Sequence, residues 1–223
     1  DTRIKGVAFT GSCETAKKIQ ENLIKRKGEI IPFMAETGGL NFMIIDSSAL
    51  TEQVVDDAIE SGFNAAGQRC SALRILAIQD EVYDKTLKML IGATKKIKIG
   101  LPNLLSTDIG PVIDQEAKDR INNHVKSFKS KVLSQSSLES KYQGYYVTPT
   151  IIEIENLNEV KEEIFGPVIH VYKYKSNEIE KLISDINKRN YGLTLGIQSR
   201  IENTINYIFN NASVGNIYIN RNI

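Results

Sequence analysis

Short apolar runs and amphipathic stretches alternate along the whole chain. Residues 6–10 form an apolar run that stops at Gly11, and Ser12 is a good helix N-cap. Ala16, Ile19, Leu23 and Ile24 then recur at helical spacing until Gly28. Residues 30–35 and 42–45 read as strands, separated by Gly38 and Gly39. A helix follows with Val54, Val55, Ala58, Ile59 and Phe63 on its apolar side, and then a buried strand over 73–78. The spacing predicts an amphipathic helix over 82–96, with Leu87, Leu90, Ile91 and Ile97 inward. Residues 101–112, with their prolines and glycine, read as loop. Beyond them the pattern predicts helices over 117–128, 179–186 and 201–209, and strands over 145–154, 168–174, 193–197 and 214–219. This alternation argues for an α/β fold with a largely parallel sheet.

Composition narrows the class. The 223 residues are 41% hydrophobic and 25% charged, which excludes collagen-like, coiled-coil and broadly disordered chains. With 28 basic and 27 acidic residues, net charge points neither to nucleic acid nor to a membrane surface. No segment approaches the roughly 18 consecutive apolar residues of a membrane span. Two cysteines cannot build a disulfide framework in a chain this long, so a reducing compartment is expected. The chain starts at Asp1 without an initiator Met and stops at Ile223 inside an alternating apolar run, so both ends read as cut.

Three short constellations could carry chemistry. In the first, residues 9–12 make a strand, a glycine turn and a helix start. Free amides at a helix N-terminus attract phosphate, and Gly11 and Ser12 could admit one; the alternative is a simple helix cap. The second is residues 35–39, where Glu36 ends an apolar strand. Desolvation there would suit a general base; the alternative is a loop glutamate bonded to glycine amides. The third is residues 67–71, where Cys70 follows Gly67-Gln68-Arg69 and precedes Ser71. A thiol of unperturbed pKa about 8.5 needs help to ionise, and Arg69 and backbone amides could give it. The alternative is a small core residue. Cys13 falls in a first helical turn and reads as structural. No Cys/His spacing suggests a metal.

Together these segments resemble the NAD(P)-dependent aldehyde dehydrogenase superfamily. Residues 35–42 fit its glutamate signature and residues 63–71 its cysteine signature. Residues 163–168 are similar to a third motif, and residues 9–12 to the cofactor turn. Residues 46–50, 67–74 and 215–223 are similar to one branch, the 1-pyrroline-5-carboxylate (L-glutamate γ-semialdehyde) dehydrogenases of proline breakdown. The resemblance implies that Cys70 attacks the aldehyde, that hydride passes to the nicotinamide, and that Glu36 activates the water that hydrolyses the thioester. It further implies that Gly11 and Ser12 bind the pyrophosphate and that Thr37 and Gly38 lie near the carboxamide. Glu163 would then hold the nicotinamide ribose, Phe165 pack beside the ring, and Ser71 contact the substrate carboxylate. NAD is the implied cofactor, with NADP not excluded, and a small aldehyde the implied substrate.

The resemblance also implies a complete fold about twice this long. Residues 1–39 would then be a remnant of the Rossmann-like cofactor domain, and 40–223 an incomplete catalytic α/β domain. The implied compartment is a bacterial cytoplasm, or the mitochondrial matrix in a eukaryote. With much of the cofactor domain outside it, the isolated chain is expected to bind NAD weakly and form little NADH. A homodimer, or pairing with complementary fragments, would cover the exposed remnant. The alternative is a non-catalytic remnant that folds or self-associates without turnover.

Overall fold

Residues 1–138 and 143–223 are described by a computed structural model, in two units, Asp1–Gly38 and Gly39–Ile223. The first unit is β1 (Val7–Thr10), α1 (Cys13–Lys25) and β2 (Phe33–Glu36), with the strands parallel and Thr10 opposite Glu36. Ser12 caps α1, its Oγ accepting from the Thr15 amide at 3.1 Å. The second strand starts at Phe33 rather than at residue 30, because Pro32 has no N–H for a ladder; its carbonyl still accepts from Val7 N at 3.0 Å. The helix ends at Lys25, before Gly28 turns the chain with φ +105°. Ile24, expected on the apolar stripe, is 78% exposed, since two strands do not cover that face.

Among its described residues the second unit has seven strands: β3 (Asn41–Ile45), β4 (Leu73–Gln79), β5 (Val132–Gln135), β6 (Thr150–Ile154), β7 (Val168–Tyr174), β8 (Thr194–Gln198) and β9 (Asn216–Ile219). Their order is β5-β6-β7-β4-β3-β8-β9, and every pairing is parallel except β5 with β6. The helices are α2 (Thr51–Phe63), α3 (Asp80–Thr94), α4 (Gln115–Ser127), α5 (Ile179–Asn187) and α6 (Glu202–Asn211). Strands β3, β4 and β8 are buried along their whole length, as parallel strands covered on both faces are. Helices α2 and α3 pack on β4 and β7, and Val54, Ala58, Leu90, Ile183 and Ile208 join one core.

Two differences from the sequence pattern have local causes. The strand expected from 145 begins at Thr150, because Pro149 cannot donate to a ladder. The antiparallel edge strand β5 was not anticipated; four residues of mixed polarity give no clear period. Among the described residues, no helix is long and apolar enough to cross a membrane.

A histidine pair ties α4 to the sheet. His170 Nδ1 lies 3.0 Å from the Arg74 carbonyl, so that nitrogen carries the hydrogen and donates. Its Nε2 then accepts from His124 Nε2, 2.9 Å away. Burial pushes His170 down to about 3 and His124 to about 4. Glu162 and Arg120 face His124 with opposing effects, while Arg74 and Glu159 do so at His170. The pair is therefore neutral at pH 7.

Unfolded imidazoles titrate near 6.5, so below that pH the unfolded chain takes up protons that the folded pair refuses. Stability is full above about pH 6.5 and falls as the pH drops towards the folded values. For the fully buried His170 the loss is about 2 kcal/mol between pH 7 and pH 5. Urea unfolding at both pH values measures it. His170→Gln, which cannot titrate, should lose about 2 kcal/mol less; an equal loss contradicts a neutral pair.

Candidate active site

In the first unit the candidate residues gather at one end of the two strands. Because Thr10 and Glu36 are in register, the Gly11-Ser12 turn and the Thr37-Gly38 segment leave the sheet side by side. Gly11 N donates to the Glu36 carbonyl at 3.1 Å, and Cys13 Sγ lies 3.4 Å from the Thr37 carbonyl. Ser12 Oγ is the helix cap and also lies 3.0 Å from Thr15 Oγ1. Gly38 takes φ +115°, a conformation glycine tolerates best.

In the second unit the candidate residues lie at the N-terminal ends of the parallel strands. Gly39 precedes β3, Cys70 and Ser71 precede β4, and Glu163 and Phe165 precede β7. Open α/β sheets more commonly place ligands at the opposite, carboxyl ends. Here the N-terminal edge instead carries a bent segment before each of three adjacent strands.

The cysteine segment is strained and firmly held. Ala65, Ala66 and Gly67 all take positive φ, at +54°, +55° and +67°. Left-handed conformations cost an alanine about 1 kcal/mol or more, so surrounding contacts must enforce them. Gln68 Oε1 accepts from Ile113 N at 2.9 Å, while its Nε2 donates to the Ala65 carbonyl at 3.2 Å. Asn41 Nδ2 donates to the Cys70 and Ala72 carbonyls at 2.7 and 2.9 Å. A Cβ on Gly67 would fall 2.2 Å from the Gly166 carbonyl oxygen, so this position admits only glycine. The loop leaves Cys70 exposed and Ser71 half-buried.

Arg69, next to Cys70 in sequence, has its guanidinium engaged by backbone carbonyls. Its Nη2 donates to the Glu60 and Ser61 carbonyls, at 3.1 and 2.9 Å, where a cation complements the C-terminal end of α2. The buried cation of this region is Arg74, on β4. Its side chain is 1% exposed and its Nη2 lies 2.8 Å from Glu163 Oε1. Burial pulls Arg74 below the usual guanidinium value, and Glu163 opposes that. Glu163 Oε2 accepts from Gly39 N at 3.2 Å. Phe165 is 42% exposed, with its ring centroid 5.5 Å from the Arg74 guanidinium.

Arg74 and Asn41 escaped the reading of the sequence as individual residues. A signal for Arg74 was present: an arginine inside an apolar strand is buried only when paired. A cavity of about 340 Å³ lies between α2, α3 and Ile109, and no candidate residue lines it. Among the described residues, no group of three or more His, Cys, Asp or Glu could hold a metal ion.

The model of the aldehyde dehydrogenase family matches residues 1–223. Among curated proteins, the bifunctional protein PutA of Escherichia coli K12 is 50% identical over 234 residues, covering 100% of this chain and 18% of that protein. The 1-pyrroline-5-carboxylate dehydrogenase of Bacillus thuringiensis is 32% identical over 226 residues, covering 98% of this chain and 43% of that protein. Among solved structures, 1-pyrroline-5-carboxylate dehydrogenase from Thermus with bound NAD superposes with a TM-score of 0.90 at 28% identity. That match covers 100% of this chain and 44% of the other. The chain therefore spans less than half the length of these relatives.

The strained turn gives a test with opposite signs. Ala65 is exposed, so Ala65→Gly should stabilise by about 0.5–1 kcal/mol, against the usual cost of introducing glycine. Gly67→Ala should cost about 2 kcal/mol or more, through the clash and the positive φ together. Urea unfolding of both variants decides; equal signs would contradict the strained turn.

Proposed function

The chain belongs to the aldehyde dehydrogenase family, and on that premise we propose that it carries the catalytic segment of an NAD-dependent enzyme. The substrate would be L-glutamate γ-semialdehyde, the open form of 1-pyrroline-5-carboxylate, and the product glutamate. The observation that carries this reading is an exposed thiol on a strained, fixed loop beside a nearly buried carboxylate. The likeness to PutA and to 1-pyrroline-5-carboxylate dehydrogenase supports the choice of substrate.

The residues present suit NAD. The Gly11-Ser12 turn opens α1, whose first amides suit a pyrophosphate. Thr37 and Gly38 offer backbone beside it for the carboxamide. Glu163 has Oε1 committed to Arg74, while Oε2 takes one amide and keeps acceptor capacity for a ribose hydroxyl. Phe165 presents an exposed flat face for the ring. NAD, when bound, supplies the two-electron oxidant.

Cys70 as thiolate adds to the aldehyde carbon and forms a thiohemiacetal, with Ser71 donating to the substrate carboxylate. After oxidation the carbon is held on sulfur as a thioester. Glu36 takes a proton from water, which attacks the thioester carbonyl; the C–S bond breaks, glutamate leaves and the thiolate is restored. The bacterial cytoplasm suits this chemistry, with both cysteines free.

One observation favours a second reading. Ile4, Ile24, Ile30 and Met34 of the first unit are exposed, which suits a non-catalytic chain that self-associates to cover them. The experiment mixes the chain with NAD and 1-pyrroline-5-carboxylate, following NADH absorbance and the intact mass. The proposed function predicts only slow NADH formation, in keeping with weak NAD binding, that Cys70→Ala abolishes, and an acyl adduct on Cys70 that accumulates in Glu36→Gln. Neither NADH nor adduct, with oligomers in solution, would establish the second reading instead.

A further inference from the structure

We propose that Arg74 is a positioning residue that sets the register between the Cys70 loop and the Glu163 carboxylate. The proposal rests on the reading above for what those two groups do, but its geometry involves no cofactor.

A guanidinium carries five N–H groups in a rigid planar fork. At Arg74 the five directions match five contacts. Nη1 donates to the Gly67 carbonyl at 2.8 Å and the Gly166 carbonyl at 3.1 Å. Nη2 donates to the Arg69 carbonyl at 3.0 Å and to Glu163 Oε1 at 2.8 Å. Nε donates to Glu163 Oε1 at 3.3 Å. Gly67 and Arg69 flank the turn that presents Cys70, whereas Glu163 and Gly166 belong to the segment before β7. One plane of atoms therefore fixes both segments, and neither can shift without breaking a bond at the other.

Two further features make the fork rigid in use. The Arg74 carbonyl accepts from His170, which anchors the base of the side chain. The side chain is 1% exposed, so water does not replace a lost partner. A lysine keeps the charge but offers three donors from one point, which cannot reach four acceptors spread around a plane.

Two backbone amides report the two segments separately. Gly39 N–H bonds to Glu163 Oε2 at 3.2 Å, and Ala72 N–H bonds to the Arg69 carbonyl at 3.0 Å. The amide of Leu76, at the centre of β4, reports the fold as a whole. Amide hydrogen exchange read by NMR on the full 223-residue chain, without NAD, follows all three. A chain with no dehydrogenase activity would still give this result, so the two readings fail separately.

In Arg74→Lys, Gly39 and Ala72 should each exchange about tenfold faster, with Leu76 within about twofold of the original chain. Glu163→Gln keeps the guanidinium and its three carbonyl bonds, and serves even if the lysine variant does not fold. There Gly39 alone should exchange about tenfold faster, with Ala72 within about threefold. Three results would overturn the proposal. One is either reporter unmoved in Arg74→Lys, and another is acceleration that Leu76 shares equally. The third is Glu163→Gln leaving Gly39 unmoved or loosening Ala72 as much as Gly39.

Discussion

A charged arginine in the middle of a seven-stranded sheet must be neutralised where it stands, and the rest of this site is arranged around that constraint. Arg74 belongs to β4, a strand buried from end to end. Taking a guanidinium out of water costs several kcal/mol, which one carboxylate and well-directed acceptors can offset. Glu163 supplies the charge, and the carbonyls of Gly67, Arg69 and Gly166 supply the remaining acceptors. Satisfying the arginine thus draws the cysteine turn and the segment before β7 onto the same edge of the sheet.

That edge is where the candidate residues of the second unit lie. The central parallel strands β3, β4 and β8 are all buried along their length. What differs is how the chain enters each strand. Before β4 it passes through three consecutive left-handed residues, and before β7 through the Gly166-Pro167 bend that Gly67 touches without a Cβ between. The strain in the alanines is offset by Gln68, Asn41 and Arg74, so the exposed thiol of Cys70 sits on a hydrogen-bonded base. In the first unit the logic is the common one, with the turn and Glu36 at the carboxyl end of two parallel strands.

Much of this was legible along the chain, and what was not has a physical reason. Ser12 reads as a cap and is one; residues 168–174 read as a strand and form β7 to the residue. Strand edges were misplaced where a proline, Pro32 or Pro149, removes a ladder donor inside an apolar run. The glycine-rich surroundings of Cys70 marked it for attention, and the family resemblance joined it to Glu36. Arg69, the neighbour in sequence, looked like the helpful cation, yet its guanidinium turns to the end of α2. Asn41 and Arg74 act through carbonyls and a carboxylate that the loops and sheet bring close, from Cys70 and Ala72 to Gly166 and Glu163, a relation that local periodicity does not encode.

The central claim is that Arg74 and Glu163 stabilise this edge as one unit. A double-mutant cycle in urea tests it most directly, with Arg74→Met, Glu163→Met and the double variant. Arg74→Met alone strands a carboxylate beside the loop and should cost about 3 kcal/mol or more, and Glu163→Met strands the buried guanidinium at a similar cost. The double variant, with both charges gone, should cost less than the sum of the two by at least about 2 kcal/mol. Costs that add to within about 0.5 kcal/mol would contradict the account.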